Sequence, residues 1–235
     1  MGHELISVII PVCNESPGIS DFAGQIRAYF SQCEILFVDG GSTDDTVDRL
    51  AKCGAEIVKS PKKGRAAQMN FGAALSSGSI LWFLHADSIP PPDALRQIQA
   101  VLGKGFEVGC FRLKFDSKSI LMRLNALLSN NLRVRVRNIA FGDQGIFIRR
   151  ALFDSIGGYA AIPLMEDYQL SLDVSKAGHK IGITKGKIVT SERRYLEGGR
   201  MKTIRMMWTL QRNYRKGGDI EEIKDAYYRR RNEDS

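Results

Sequence analysis

At 235 residues the chain is long enough for one domain with a proper core and short for two. Apolar residues at 43% and charged residues at 26% exclude a disordered or fibrous chain. The net charge of +8 favours an anionic partner, whether a nucleotide phosphate, an acidic lipid surface or a nucleic acid. Cys13, Cys33, Cys53 and Cys110 are widely spaced and form no CxxC pair, which argues against a thiolate metal site and a disulfide framework. Reduced cysteines of a cytosolic protein are the simplest account. No run approaches the ~20 apolar residues of a membrane span, and the apolar stretch at 5–12 is too short for a signal peptide core. The expectation is a soluble cytoplasmic protein, peripheral to a membrane at most.

In chain order, residues 5–12 (LISVIIPV) read as a strand buried on both faces. Ser16 and Pro17 open a helix running to Phe30. Residues 33–39 (CEILFVD) are the second strand, and Ser42 begins a capping-box-like S-T-D-D for a helix through Lys52, closed by Gly54. A weaker strand at 55–60, an alanine-rich helix at 65–77 and a strand at 79–87 (SILWFLHAD) follow, then a helix at 93–102. Strands joined by single helices imply right-handed βαβ units and a mainly parallel sheet. Beyond this the pattern is less regular. Strands are expected at 108–115 and 141–150, an amphipathic helix at 119–132 and a helix at 166–177. We read residues 1–218 as one α/β domain with a mixed sheet, ending in a basic amphipathic helix at about 199–216, and 219–235 as a charged, mobile tail.

Two buried strands end in acids, and ligands of open α/β sheets bind at the carboxyl ends of strands. Asp39 precedes Gly40 and Gly41, which let the backbone turn sharply. Its carboxylate either accepts from a base or ribose or caps the following turn. Asp87 fits a hard cation, which takes one or two carboxylates plus substrate phosphates, or else caps a turn before the three prolines. His85 lies two residues earlier on the same strand face, and a strand-end histidine satisfied by hydrogen bonds is its plainer role. Glu166 and Asp167 open a helix, where acids are favoured by the dipole and where a catalytic base is also conceivable. Lys62, Lys63 and Arg65 flank a helix start, either as a phosphate-binding corner or as a solvated basic loop.

Taken together, in order and over roughly residues 6–174, these segments resemble a family 2 glycosyltransferase of the GT-A fold, a Rossmann-like three-layer sandwich. ISVIIPVCNE resembles the family's opening strand, FVDGGSTDDT its VDDGSTDGT motif and GRAAQMNFGA its arginine/asparagine helix. FLHADS occupies the place of the metal-binding DxD, FGDQGIFIRR that of the acceptor-side strand, and GGY followed by EDYQL that of the catalytic ED motif. VDGGSTD, FLHAD and RRY at 193–195 resemble a small bacterial subgroup of short family 2 enzymes.

The resemblance implies direct displacement at an anomeric carbon with inversion, from a nucleoside-diphosphate sugar, most readily a UDP-sugar, to an acceptor hydroxyl. Asp39 would hold the base. Pro11, Asn14, Glu15, Gly41, Ser42, Lys63, Arg65, Asn70, His85 and Ala86 would line the nucleotide site. Asp87 would coordinate Mg²⁺ or Mn²⁺ bridging the diphosphate, and Asp167, supported by Glu166, would be the general base. Two positions depart from the pattern: Gly40 replaces the family's second aspartate, and His85 the first acid of DxD.

Residues 198–218 contain no acid. Met201, Ile204, Met207, Trp208, Leu210 and Tyr214 share one broad helical face, with Lys202, Arg205, Arg212 and Lys216 in a separate stripe. That arrangement suits an interfacial helix on an anionic membrane, and family 2 enzymes often use lipid-linked acceptors. Packing on the domain is the commoner fate of such a face. The competing readings are a nucleotidyltransferase, disfavoured because CNESPG stands where a glycine- and arginine-rich loop is needed, and a sugar-nucleotide-binding protein without catalysis. RVRVRN at 133–138 raises a nucleic-acid-binding protein, but no binding motif or aromatic platform accompanies it, so no nucleic-acid partner is expected.

Overall fold

A run that is apolar on both faces needs cover from above and below, and β1 (Ile6–Val12) is buried at every residue. The computed structural model describes residues 4–233 and sets β1 between two parallel neighbours, β2 (Glu34–Asp39) and β4 (Ile80–Phe83), with β3 (Ile57–Lys59) beyond β2. The sheet order is β3-β2-β1-β4-β7-β6-β8-β5. β7 (Phe147–Arg149) runs antiparallel to both β4 and β6 (Val108–Phe115), β8 (Ile181–Thr190) runs parallel to β6, and β5 (Ser88–Ile89) pairs antiparallel with β8. The mixed, mainly parallel sheet is as expected.

Alternation along β1 divides the core. Val8 and Ile10 point to one layer with α1 (Ile19–Tyr29), α2 (Thr46–Lys52), α4 (Ala94–Leu102) and α5 (Ile120–Leu128). Ile9 points to the other, with α3 (Arg65–Leu75), α6 (Arg150–Ser155) and α7 (Glu166–Lys176). The result is three layers around one sheet. No helix among the described residues is long and apolar enough to cross a membrane.

Four expectations need correction. Residues 141–150 are not one strand. Gly142–Gln144 form a 3-10 turn, Gly145 takes a left-handed φ of 57°, and only Phe147–Arg149 enter the sheet before α6 begins at Arg150. The helix expected at 119–132 is α5 followed by a π-helical segment, Ser129–Val136. α2 starts at Thr46, because Ser42 and Thr43 are taken up by hydrogen bonds to the β1–α1 loop. Finally, the segment expected as a mobile tail is helical over its described residues, to Glu233. After α8 (Arg193–Glu197) and α9 (Arg200–Arg215), α10 (Ile220–Glu233) buries Ile223 and Tyr227 with Leu210 of α9. The signals the charged segment gives are the spacing of Ile220, Ile223 and Tyr227 and the N-cap Asp219, which accepts from the Glu221 N–H at 2.7 Å.

Candidate active site

The chain leaves β1 in opposite directions to β2 and β4, so the carboxyl end of β1 is the switch point at which open α/β sheets bind ligands. Pairing of β1 with β4 stops at Ile9 and Phe83, and beyond it the two strands part. Pro11, which has no N–H to give a ladder, lies past that point, buried opposite Val38. Beside it, Glu15, Ala86, Asp87 and Ile89 line a crevice of about 230 Å³ with Pro17, Ile19, Phe22 and Gln25 at the start of α1, and Asp39 does not line it.

The loops at its rim are laced together. Asn14, which tolerates its left-handed φ of 55° as Asn does, accepts from the Thr43 N–H at 2.8 Å, and its own N–H donates to Ser42 Oγ. The Glu15 N–H donates to Thr46 Oγ1 at 2.9 Å. Asp39, 4% exposed, accepts from the N–H groups of Gly41 and Ser42 at 3.1 and 2.9 Å. Asp39 therefore caps the turn, and each oxygen keeps a second lone pair that a ligand donor could use. The departure at Gly40 has a steric cause. A Cβ there would lie 2.8 Å from the Gln68 amide carbon, and Gln68 Nε2 is fixed by the carbonyls of Val12 and Val38 at 2.9 and 2.7 Å.

Asp87 also lines a second, larger cavity of about 440 Å³, and there it meets His85, Asp143 and Asp167 with Arg65, Arg133, Arg193 and Arg194. α8, α9 and α10 close the far side with Ile204, Met206, Met207, Trp208 and Tyr227. Asp167 reaches it from the first turn of α7. The preceding Met165 holds a left-handed φ of 66°, an uncommon conformation for a non-glycine residue that aims the helix start into the cavity. Asp167 Oδ2 accepts from the Gly142 N–H at 2.9 Å and Oδ1 from the Tyr168 N–H at 2.7 Å. Gly142 is required here, since a Cβ would stand 2.5 Å from the His85 ring. Glu166, 2% exposed, points away and pairs with Arg65 Nε at 2.8 Å.

His85 is not the hydrogen-bonded strand-end residue expected, for its Nε2 is buried without a partner. Burial, and then the Arg65 charge, push its pKa down to about 4, so the ring is a neutral donor of a lone pair or a proton. Asp87 Oδ1 lies 3.0 Å from Ser88 Oγ, which in turn lies 3.1 Å from Thr190 Oγ1 at the end of β8. Among the described residues no three His, Cys, Asp or Glu side chains converge into a metal cage. A lone carboxylate with an orphaned imidazole nearby fits Mg²⁺ or Mn²⁺ that draws its remaining ligands from water and a diphosphate.

Asn70, Lys63 and Arg65 have these surroundings. Both ends of the Asn70 amide bind the Tyr159 backbone, at 2.8 and 2.9 Å, so it clamps the Gly157–Gly158–Tyr159 turn. Lys63 lies over Gly41, beside the expected nucleotide loop, and lines neither cavity, and Arg65 pairs with Glu166 through Nε while lining the larger cavity. Asp143 and Arg133 were missed. Asp143 stands inside FGDQGIF, where a polar residue in an apolar run was the available signal. Its Oδ1 is buried without a partner, and burial, opposed by Arg133, raises its pKa to about 6. The unfolded value is ~3.9, so this group stabilises the fold below pH ~4 and loses that contribution as pH rises through 6. Urea unfolding of Asp143→Asn should therefore lack a slope of about 2 kcal/mol that the parent shows between pH 4 and pH 7.

The profile of glycosyl transferase family 2 matches residues 7–161, which include the crevice, Asp87 and the Asp143 turn. The chain belongs to glycosyl transferase family 2. Among the relatives of this family 2 enzyme, an uncharacterized glycosyltransferase of Mycobacterium tuberculosis is 33% identical over 162 residues, 66% of this chain and 62% of that protein. A PGL/p-HBAD biosynthesis glycosyltransferase of Mycobacterium bovis is 30% identical over 167 residues, 68% of this chain and 64% of that one. The matches thus span less than two thirds of these relatives' length. Solved structures share the GT-A fold. A mannosyltransferase of Pyrobaculum calidifontis in complex with GDP-Man and Mn²⁺ superposes with a TM-score of 0.70 at 19% identity, covering 92% of this chain and 65% of that one. Glucosyl-3-phosphoglycerate synthase of Mycobacterium tuberculosis, in complex with Mn²⁺, UDP-glucose and phosphoglyceric acid, gives 0.65 at 21%, covering 92% and 81%.

Proposed function

We propose that this glycosyltransferase moves a sugar from a nucleoside-diphosphate sugar to an acceptor hydroxyl with inversion. The observation that carries the reading is the position of Asp87, which lines both cavities and shares the larger one with Asp167. The nucleotide lies over the carboxyl ends of β1 and β2, its base at Asp39 and its diphosphate toward Asp87, which lines both cavities. Mg²⁺ or Mn²⁺, held by Asp87 with His85 beside it, would neutralise charge developing on the leaving diphosphate. Fold neighbours were solved with UDP-glucose or GDP-Man together with Mn²⁺, and a UDP-sugar is the donor we favour.

Asp167 takes the proton of the acceptor hydroxyl as that oxygen bonds to the anomeric carbon. The bond from this carbon to the diphosphate oxygen breaks on the opposite face, and the electron pair leaves with the nucleotide. General base catalysis of this kind contributes ~10²–10⁴-fold. The Gly142 and Tyr168 N–H groups hold the carboxylate in one orientation, and Arg193 and Arg194 add positive charge on the cavity wall. The methionine-rich far side beside these arginines suits an acceptor that carries an apolar portion and a negative group, as a lipid-linked one does. Four free cysteines accord with a cytoplasmic enzyme.

The test is a thermal-shift series with UDP-, GDP- and dTDP-sugars, each with and without Mn²⁺. A donor at a hundred times its dissociation constant should stabilise the fold by ~2.7 kcal/mol. Asp87→Ala should lose the cation-dependent part of that shift and keep the remainder. A shift in the variant that still grows with Mn²⁺ removes Asp87 from the metal site. Donor binding without transfer to any hydroxyl acceptor would leave a sugar-nucleotide-binding protein instead.

A further inference from the structure

Among the described residues α5 exposes a run of four large aliphatic side chains, where α9 exposes Met201 and Trp208. α5 turns Met122, Asn125 and Ala126 inward, and Asn125 lines the larger cavity. Ile120, Leu124, Leu127 and Leu128 lie on the opposite side. Offsets of four, seven and eight residues keep them within a stripe about 100° wide at 3.6 residues per turn. Their exposures are 72%, 52%, 52% and 44%, and Val136, in the π-helical continuation, is 73% exposed. Single exposed apolar residues need no explanation, whereas a contiguous stripe marks a contact surface.

Charge says what kind of contact. Residues 117–142 hold five Lys and Arg and no Asp or Glu. Of these, Lys118, Arg123, Arg135 and Arg137 are exposed, and no ion pair among the described residues engages them. A two-fold contact between copies of this chain would set those cations against one another, a repulsive arrangement. An anionic lipid surface offers both halves of the complement, acyl chains for the stripe and phosphates for the cations.

We propose that α5 and its π-helical continuation form a membrane-surface anchor. The aliphatic stripe enters the boundary between headgroups and acyl chains, and the four cations sit over anionic lipid phosphates. α9, the helix whose composition first points to lipid, is largely spoken for. Leu210 is buried, and Met206, Met207 and Tyr214 pack in the cluster that includes Tyr168 of α7 and Ile223 and Tyr227 of α10. The inference does not depend on the glycosyl-transfer reading, because binding is measured without donor or acceptor.

The experiment is flotation of the full chain with phosphatidylcholine vesicles, with and without phosphatidylglycerol. Co-flotation is expected only with the anionic vesicles and should fall as salt is raised. Leu124→Gln with Leu127→Gln should weaken binding by roughly tenfold or more for each leucine, and Arg135→Gln with Arg137→Gln by about fivefold for each cation. Melting temperatures should not move in either pair, since all four side chains are exposed. Met201→Gln on α9 should float like the parent. Three results would overturn the proposal: no flotation of the parent, flotation untouched by the leucine pair, or light scattering showing a dimer that the leucine pair dissolves.

Discussion

Replacing Asp167 by Asn should lower turnover by ~10²–10⁴-fold while leaving donor affinity nearly intact. The amide keeps one oxygen for the Gly142 or Tyr168 N–H, so the first turn of α7 retains most of its anchoring. What it loses is the ability to hold a proton taken from the acceptor. Steady-state rates combined with the donor thermal shift separate the two functions. A variant that turns over like the parent would pass the base role to another carboxyl lining the cavity, such as Asp143.

Arg65→Met is expected to be the most damaging single change for stability. It strips the partner from Glu166, whose side chain is only 3% exposed, and leaves a carboxylate in the core. Breaking a buried pair in this way costs about 3–5 kcal/mol, and the partly exposed Arg65 side chain places the effect toward the lower end. The deficit should depend on pH. Burial already raises the Glu166 pKa against the opposing pull of Arg65. A carboxyl with a raised folded pKa contributes stability below its unfolded pKa of ~4.3 and loses it as pH rises through the folded value. Without Arg65 the rise is larger, so the penalty should be greatest near pH 8 and shrink toward pH 4. Urea unfolding at both ends of that range checks it. The same substitution removes a charge that depresses the His85 pKa, which should move up in an NMR titration.

Much of the fold was legible because its signals are local. A strand such as β1, apolar at every residue but Ser7, has one reading, and glycine, proline and capping residues mark where helices begin and end. Asp39 and Asp87 stood out for the same reason, as acids terminating apolar runs. The rest depends on partners far apart in the chain. Asn70 looked like a ligand residue, yet its amide is used by the backbone of Tyr159, 89 positions away. Arg65 stood out as a basic residue at a helix start, but its ion pair with Glu166, far along the chain, could not be read from the sequence. Asp143 was hidden in a segment that reads as a strand and folds as a 3-10 turn, because nothing in FGDQG reveals that Gly142 must press against His85. The helical state of residues 220–233 rests on two side chains finding Leu210, which composition alone does not disclose.

Gln68 has an implication for how chains of this type diverge. Its amide bolts two parallel strand ends together through both N–H hydrogens and fills the volume that a side chain at position 40 would need. A lineage acquiring aspartate at 40 must first shorten residue 68 and find another tie between Val12 and Val38. In this chain the two positions depend on one another, and a Gly40→Asp substitution made alone should displace the Gln68 amide from the carbonyls of Val12 and Val38.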